Sequence, residues 1–139
     1  MARDPNDWVV LYDSDCGFCR WSLGLLLRCD RSRRIRPVAL GTPAADALLH
    51  DMPEEQRAAS WHLVSPSGER ASGGAAAPPL LRLLPGGRIP AAVLASAPRL
   101  TERAYRWIAG HRSSLSRAIP SSAKRRADVE IALRENRPA

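Results

Sequence analysis

Two thiols stand three positions apart in Tyr12-Asp13-Ser14-Asp15-Cys16-Gly17-Phe18-Cys19, with two carboxylates just before them. A Cys-x-x-Cys pair serves dithiol–disulfide exchange, half of a metal site, or attachment of a c-type haem. Haem attachment needs a histidine directly after the second cysteine, and Arg20 occupies that place. Structural zinc needs four ligands, and the remaining candidates are Cys29, His50, His62 and His111. If residues 16–30 are helical, Cys29 lies roughly 15 Å along the axis from Cys19, at about 1.5 Å per residue. That is too far for a shared metal or for a disulfide with either partner. Exchange chemistry therefore stands ahead of zinc. Cys29 reads as a small core hydrophobe, and His62 and His111 as structural groups.

Exchange needs a thiolate nucleophile and a second thiol to resolve the mixed disulfide. Cys16, at the start of a helix, would meet unpaired N–H groups and the positive end of the helix dipole, both of which favour a thiolate. Cys19, one turn on and deeper, would resolve. Phe18 would shield the sulfurs or touch a peptide substrate. Asp13 and Asp15 oppose thiolate formation, while the helix terminus and Arg20 favour it. Two roles are open for the carboxylates: one of them caps the helix, or Asp13 passes a proton to or from Cys19. Asp15 would tune the pair.

The elements that hold this octapeptide can be read on either side of it. Trp8-Val9-Val10-Leu11-Tyr12 is apolar, aromatic and β-branched, the pattern of a buried strand. Residues 16–30 carry helical spacing, with Phe18, Trp21, Leu25 and Cys29 on one face, widened by Leu23, Leu26 and Leu27, and Arg20, Gly24 and Arg28 on the other. Residues 35–40 form a second strand, where Pro37 favours an edge or an early position. This gives a βαβ unit with a right-handed crossover. Thr42 caps a short helix over 43–50, with Pro43 at its first position. Another turn of helix opens at Pro53. Residues 61–64 and 69–72 pair as a hairpin across Pro66-Ser67-Gly68. Gly73-Gly74 leads into a helix reaching Leu84, with Pro78 and Pro79 marking its first turn. The rest reads as helices: 91–97, then 101–111 with Tyr105, Ile108 and Ala109 on one side, then a turn or two over 113–119. Pro120 breaks the chain. Residues 121–135 form a charged helix, capped by Ser121 or Ser122, whose weak apolar stripe predicts loose docking or disorder. The organisation expected is a domain over 1–120 and a charged C-terminal helix or flexible tail over 121–139.

Composition narrows the class. The 139 residues suffice for one domain with a true core, and the three cysteines are too few for a disulfide framework. The net charge of +7 would suit nucleic acid. The arginines, however, are spread along the chain and no nucleic-acid reader motif accompanies them, so a solvated basic surface is the better reading. No run of about 18 apolar residues exists, and the most apolar stretch, 80–97, is interrupted by Arg82, Gly86, Gly87, Arg88 and Pro90. MARDPNDW lacks the apolar region of a signal peptide. The expectation is a cytoplasmic protein with no membrane segment, where a close cysteine pair is catalytic or metal-binding rather than structural.

YDSDCGFC after an apolar strand resembles the DCC family of predicted thiol-disulfide oxidoreductases, also catalogued as a domain of unknown function. The family is named for an Asp-x-x-Cys-x-x-Cys motif, here Asp13, Cys16 and Cys19. SWHLVSPSGERASGGAAAPPLLRLLPGG is similar to the family's hairpin, small-residue turn and helix, and YRWIAGHRSSLSR to its last helical segment. The three blocks cover residues 8–119. The resemblance implies a thioredoxin-like α/β fold, a βαβ unit followed by a ββα unit, with additional C-terminal helices. It also implies thiol-disulfide oxidoreductase activity. The sequence departs from the pattern at Ser14, where members often carry Gly. It also lacks the cis-proline that thioredoxins place before the third strand to present backbone to a peptide; Ser60 takes that place.

Two functions follow as expectations. The first is a dithiol–disulfide oxidoreductase without a bound cofactor. It would act on a disulfide-containing protein or small-thiol substrate and draw electrons from a reductase or a thiol. The second is a thioredoxin-like interaction module whose thiols switch with redox state or are inactive.

Overall fold

A computed structural model of the chain describes residues 4–137, so the outermost ends of the two expected segments, 1–120 and 121–139, lie outside the described residues. The elements in chain order are β1 (Trp8–Tyr12), α1 (Gly17–Cys29), β2 (Ile35–Ala39), α2 (Pro43–Leu48), α3 (Glu54–Ala59), β3 (His62–Val64) and β4 (Arg70–Ser72). A 3-10 turn (Gly73–Ala76) then runs into α4 (Ala77–Leu81), followed by α5 (Arg88–Ser96), α6 (Pro98–Ala118) and α7 (Ser121–Glu135).

The strands form one sheet in the order β2-β1-β3-β4. β1 and β2 are parallel, with Trp8 opposite Ile35 and Tyr12 opposite Ala39. β3 lies antiparallel to both β1 and β4. Pro37 falls on the edge strand β2, where its missing donor is harmless. Side chains alternate along a strand, so β1 supplies both faces of the sheet. Val10 and Tyr12 join Leu23, Leu27, Leu63, Leu80 and Ile131 in one core. Val9 and Leu11 pack with Ala45, Leu49 and Val64 on the other side. This is a thioredoxin-like fold with helices added at its C-terminal end.

Several expectations are corrected. The helix after the glycines stops at Leu81, and the segments 101–111 and 113–119 are one continuous helix, α6. Cys29 is exposed, not a core group. The buried positions of α1 are Leu23 and Leu27, from the wider apolar face, and Gly24, whose side was expected to face water but is covered there. Its cover is α7, which is closely docked rather than loose. At Gly24 a Cβ would lie 2.4 Å from Ala127 Cβ, so only glycine permits the approach. Ala127, Ile131 and Arg134 are buried in the contact. Neither Ser121 nor Ser122 caps α7; Pro120 holds the N-cap position with no side-chain bond.

The docking rests on a charge pair. Asp30, ending α1, is 1% exposed and accepts from the Ile35 amide at 2.9 Å. Arg134 Nη1 meets its carboxylate at 2.9 Å, and Arg134 Nη2 donates to Leu27 O at 2.7 Å and Asp30 O at 3.1 Å. A buried pair is tolerated when further hydrogen bonds satisfy both ions, and here the orphan carbonyls at the end of α1 do so. At the same end of α7, Glu135 accepts from the Tyr12 hydroxyl at 2.8 Å. No helix among the described residues is long and apolar enough to cross a membrane.

Candidate active site

β1 ends at Tyr12 and α1 starts at Gly17, so the octapeptide occupies the turn between sheet and helix. Cys16 is the N-cap of α1, in extended conformation, and its Sγ accepts from the Cys19 amide at 3.2 Å. A sulfur thus takes the part that a serine or aspartate oxygen usually plays. The expectation that Asp13 or Asp15 caps α1 is corrected. Asp13 instead closes the preceding turn, its Oδ1 accepting from the Asp15 amide at 2.9 Å. Asp15 sits exposed on the outside of that turn. Both thiols of the pair are free and half-buried.

Gly17 is where other elements come in. A Cβ there would stand 2.7 Å from Ser116 Oγ and 3.4 Å from Lys124 Cε, so the end of α6 and the start of α7 both press on the first turn of α1. Arg20 does not serve the sulfurs: it donates to Ser14 O at 2.9 Å and pairs with Asp128 at 3.1 Å. Arg112 on α6 is the cation beside Asp13, its Nη1 3.8 Å from Asp13 Oδ2. The Cys19 thiol is pushed up to about 12. Burial is the main cause, followed by Cys16 through its hydrogen bond and charge; Arg112 pulls the other way and Asp13 adds to the rise.

α6 is seated by the two glycines that follow β4. The Gly74 amide donates to Glu102 Oε2 at 2.9 Å, and a Cβ on Gly74 would come within 2.8 Å of Glu102 Cα. Gly73, at φ +59, lies under the Tyr105 ring. The Gly74 amide is thus used to bring α6 against the site, while the Gly73 amide donates to Trp61 O at 3.2 Å. Spacings of three, four and seven put Tyr105, Ile108, Ala109 and Arg112 on one face, and all four line a cavity of about 360 Å³. Asp13, Phe18, Cys19 and Ser60 line the same cavity. Cys16 and Asp15 do not: Cys16 adjoins the cavity through its hydrogen bond with the Cys19 amide, and Asp15 stays outside. Ser60 is extended, at φ −157 and ψ 171, and no cis peptide bond occurs among the described residues.

Arg112 is the residue that sequence reasoning missed. With the helix broken between His111 and Ser113, Arg112 fell in a gap; the Tyr105–Ile108–Ala109 face, continued one turn, would have found it. The histidines play no part in the site. His62 is buried, its Nε2–H donating to Arg57 O at 3.0 Å while Nδ1 accepts from the Ser72 hydroxyl at 2.6 Å. Among the described residues, no three or more His, Cys, Asp or Glu are grouped to hold a metal ion.

A parallel βαβ unit continued by an antiparallel pair, with a Cys-x-x-Cys opening the first helix, defines a thioredoxin-like dithiol protein. The family model for DCC1-like thiol-disulfide oxidoreductases matches residues 10–118, and the chain belongs to that family. No curated protein and no solved structure matches the chain.

Proposed function

We propose that the protein is a dithiol–disulfide exchange enzyme of a reducing compartment, the cytoplasm. Cys16 is the nucleophile, Cys19 the resolving thiol and Asp13 the proton acceptor for Cys19. The observation that carries this reading is the N-cap geometry. Cys16 Sγ lies at the helix terminus, 3.2 Å from the Cys19 amide, where N–H donors support a thiolate through the reaction.

The Cys16 thiolate attacks one sulfur of a substrate disulfide. The substrate S–S bond breaks, a Cys16–substrate disulfide forms, and the first leaving thiolate takes a proton from water. Cys19 then gives its proton to Asp13 and attacks Cys16 Sγ. The second substrate thiolate leaves and is protonated, and Asp13 returns its proton to solvent. The protein has lost two electrons and holds a Cys16–Cys19 disulfide, and the substrate has become two thiols. A cellular reductase or a small thiol restores the dithiol, so no bound cofactor is needed. Phe18 and Ser60 contact the substrate from the cavity wall, and Asp15 acts on the pair only through the turn.

The test is the reduction potential of the pair, by equilibration in defined thiol buffers with mass-spectrometric readout. A value near about −270 mV and turnover lost in Cys16→Ser are expected. A pair that exchanges at no poise would leave the thioredoxin-like interaction module as the reading.

A further inference from the structure

The cavity beside Cys19 is more than a crevice for the thiols. Its floor is formed by Val10, Leu23 and Leu80, which are 3%, 4% and 8% exposed. Its mouth is formed by Ile108, 39% exposed, and by Asp13 and Arg112, whose side chains are 39% and 40% exposed. It therefore runs inward from a charged rim to a dry apolar end, with Cys19 in its wall. Its volume of about 360 Å³ falls within the range of small-molecule sites, about 300–1,000 Å³.

The backbone around it is poorly placed to receive a peptide by strand addition. β3 is an inner strand, paired with β1 and with β4. Just before it, Trp61 O already accepts from the Gly73 amide at 3.2 Å. What the site offers is apolar volume rather than free main-chain groups.

Resting on the exchange reading above, we infer that the substrate is a small organic disulfide whose apolar body fills this cavity while its sulfurs lie against Cys19 in the wall and reach Cys16, which adjoins Cys19. The chemistry is the exchange already written, the apolar half leaving as its thiol. Burial of each further methylene raises the rate constant for capture about fourfold until the cavity is full, at about 0.8 kcal/mol per methylene.

The test is single-turnover oxidation of the reduced full-length protein. The oxidants are a series of 2-hydroxyethyl alkyl disulfides, from ethyl to octyl, with bis(2-hydroxyethyl) disulfide as the polar reference. Each rate is divided by that of free dithiothreitol with the same disulfide. The expected result is a steep rise with chain length, flattened in Ala109→Phe, which puts a ring into the cavity. Hexyl methyl sulfide, which has no S–S bond, is expected to compete with the hexyl disulfide in the unaltered protein, so the inference does not depend on the variant folding. A flat series with the reference disulfide still oxidising the pair would overturn the inference and leave the exchange function standing. So would failure of the thioether to compete, or faster oxidation by a disulfide-linked peptide than by any alkyl disulfide. If no disulfide oxidises the pair, the exchange reading itself falls and this inference falls with it.

Discussion

Burial is the largest cause that pushes the Cys19 thiol up, and it persists once Cys16 is tied in a mixed disulfide, so the thiol is protonated at neutral pH, yet it must act as the nucleophile that resolves that disulfide. Something has to take its proton, and Asp13 shares the cavity with it. In Asp13→Asn, only hydroxide remains as the acceptor. The mixed disulfide on Cys16 should then persist about 100-fold longer at pH 7. Its decay should quicken about tenfold per pH unit above neutrality, while the Cys19 thiol stays protonated; trapping by acid quench at several pH values measures both. A pH profile like that of the unaltered protein would remove Asp13 from the reaction. His62 gives a second pH effect, on stability rather than rate. Its value is lowered, chiefly by burial; the Arg57 carbonyl acts the other way and the charge of Arg70 adds to the lowering. The unfolded chain therefore binds the proton more readily, so stability is full above about 6.5, the unfolded value, and falls as pH drops from there to the folded one. Urea midpoints between pH 7 and pH 5 should fall in the unaltered protein and fall less in His62→Gln.

At the scale of elements, α1 is held by what it lacks. Alanine is the better helix former than glycine by about 1 kcal/mol, so Gly24→Ala would stabilise a free helix. Here the new methyl would stand 2.6 Å from Ala127 Cα, a backbone atom that cannot step aside without moving α7. Overpacking of this kind costs about 1–3 kcal/mol, so the net effect should be a lower melting temperature, read by circular dichroism. The same contact shows which elements were legible in the sequence. β1, α1 and β2 were read nearly to the residue, because their apolar patterns differ sharply and turn residues separate them. α7 was placed to the residue, yet its docking was invisible. It contributes an alanine, an isoleucine and a buried arginine rather than an apolar stripe, and it meets α1 on the side where Arg20, Gly24 and Arg28 suggest water. Cys29 was misjudged for the same reason, since the apolar stripe it belonged to is not the buried one. Of the site, the Cys-x-x-Cys motif and Asp13 could be read locally. Arg112 could not, because the apparent break in α6 hid its phase.

For the whole molecule, α7 is a strap rather than an appendage. It runs beside α1 from Lys124 near Gly17 to Arg134 on Asp30, and Glu135 crosses to Tyr12 at the end of β1. Just beyond it, Arg137 pairs with Asp7 at 2.6 Å, ahead of β1. The βαβ unit is thus tied to the last helix at both of its ends. Loss of Arg134 would strand the Asp30 carboxylate, which is fully buried, and free three carbonyls from their donor. Breaking one side of such a pair costs about 3–5 kcal/mol. Arg134→Ala should therefore lose that much in urea unfolding, a large part of the roughly 5–15 kcal/mol that holds an ordinary domain. Asp30→Leu combined with Arg134→Met should lose less than Arg134→Ala alone, because no bare charge remains. A chain ending at Pro120 should lose the Ala127, Ile131 and Arg134 contacts together and show no cooperative melting transition. Cooperative melting of that shortened chain at the temperature of the full one would instead make residues 1–120 self-sufficient and α7 an accessory to them.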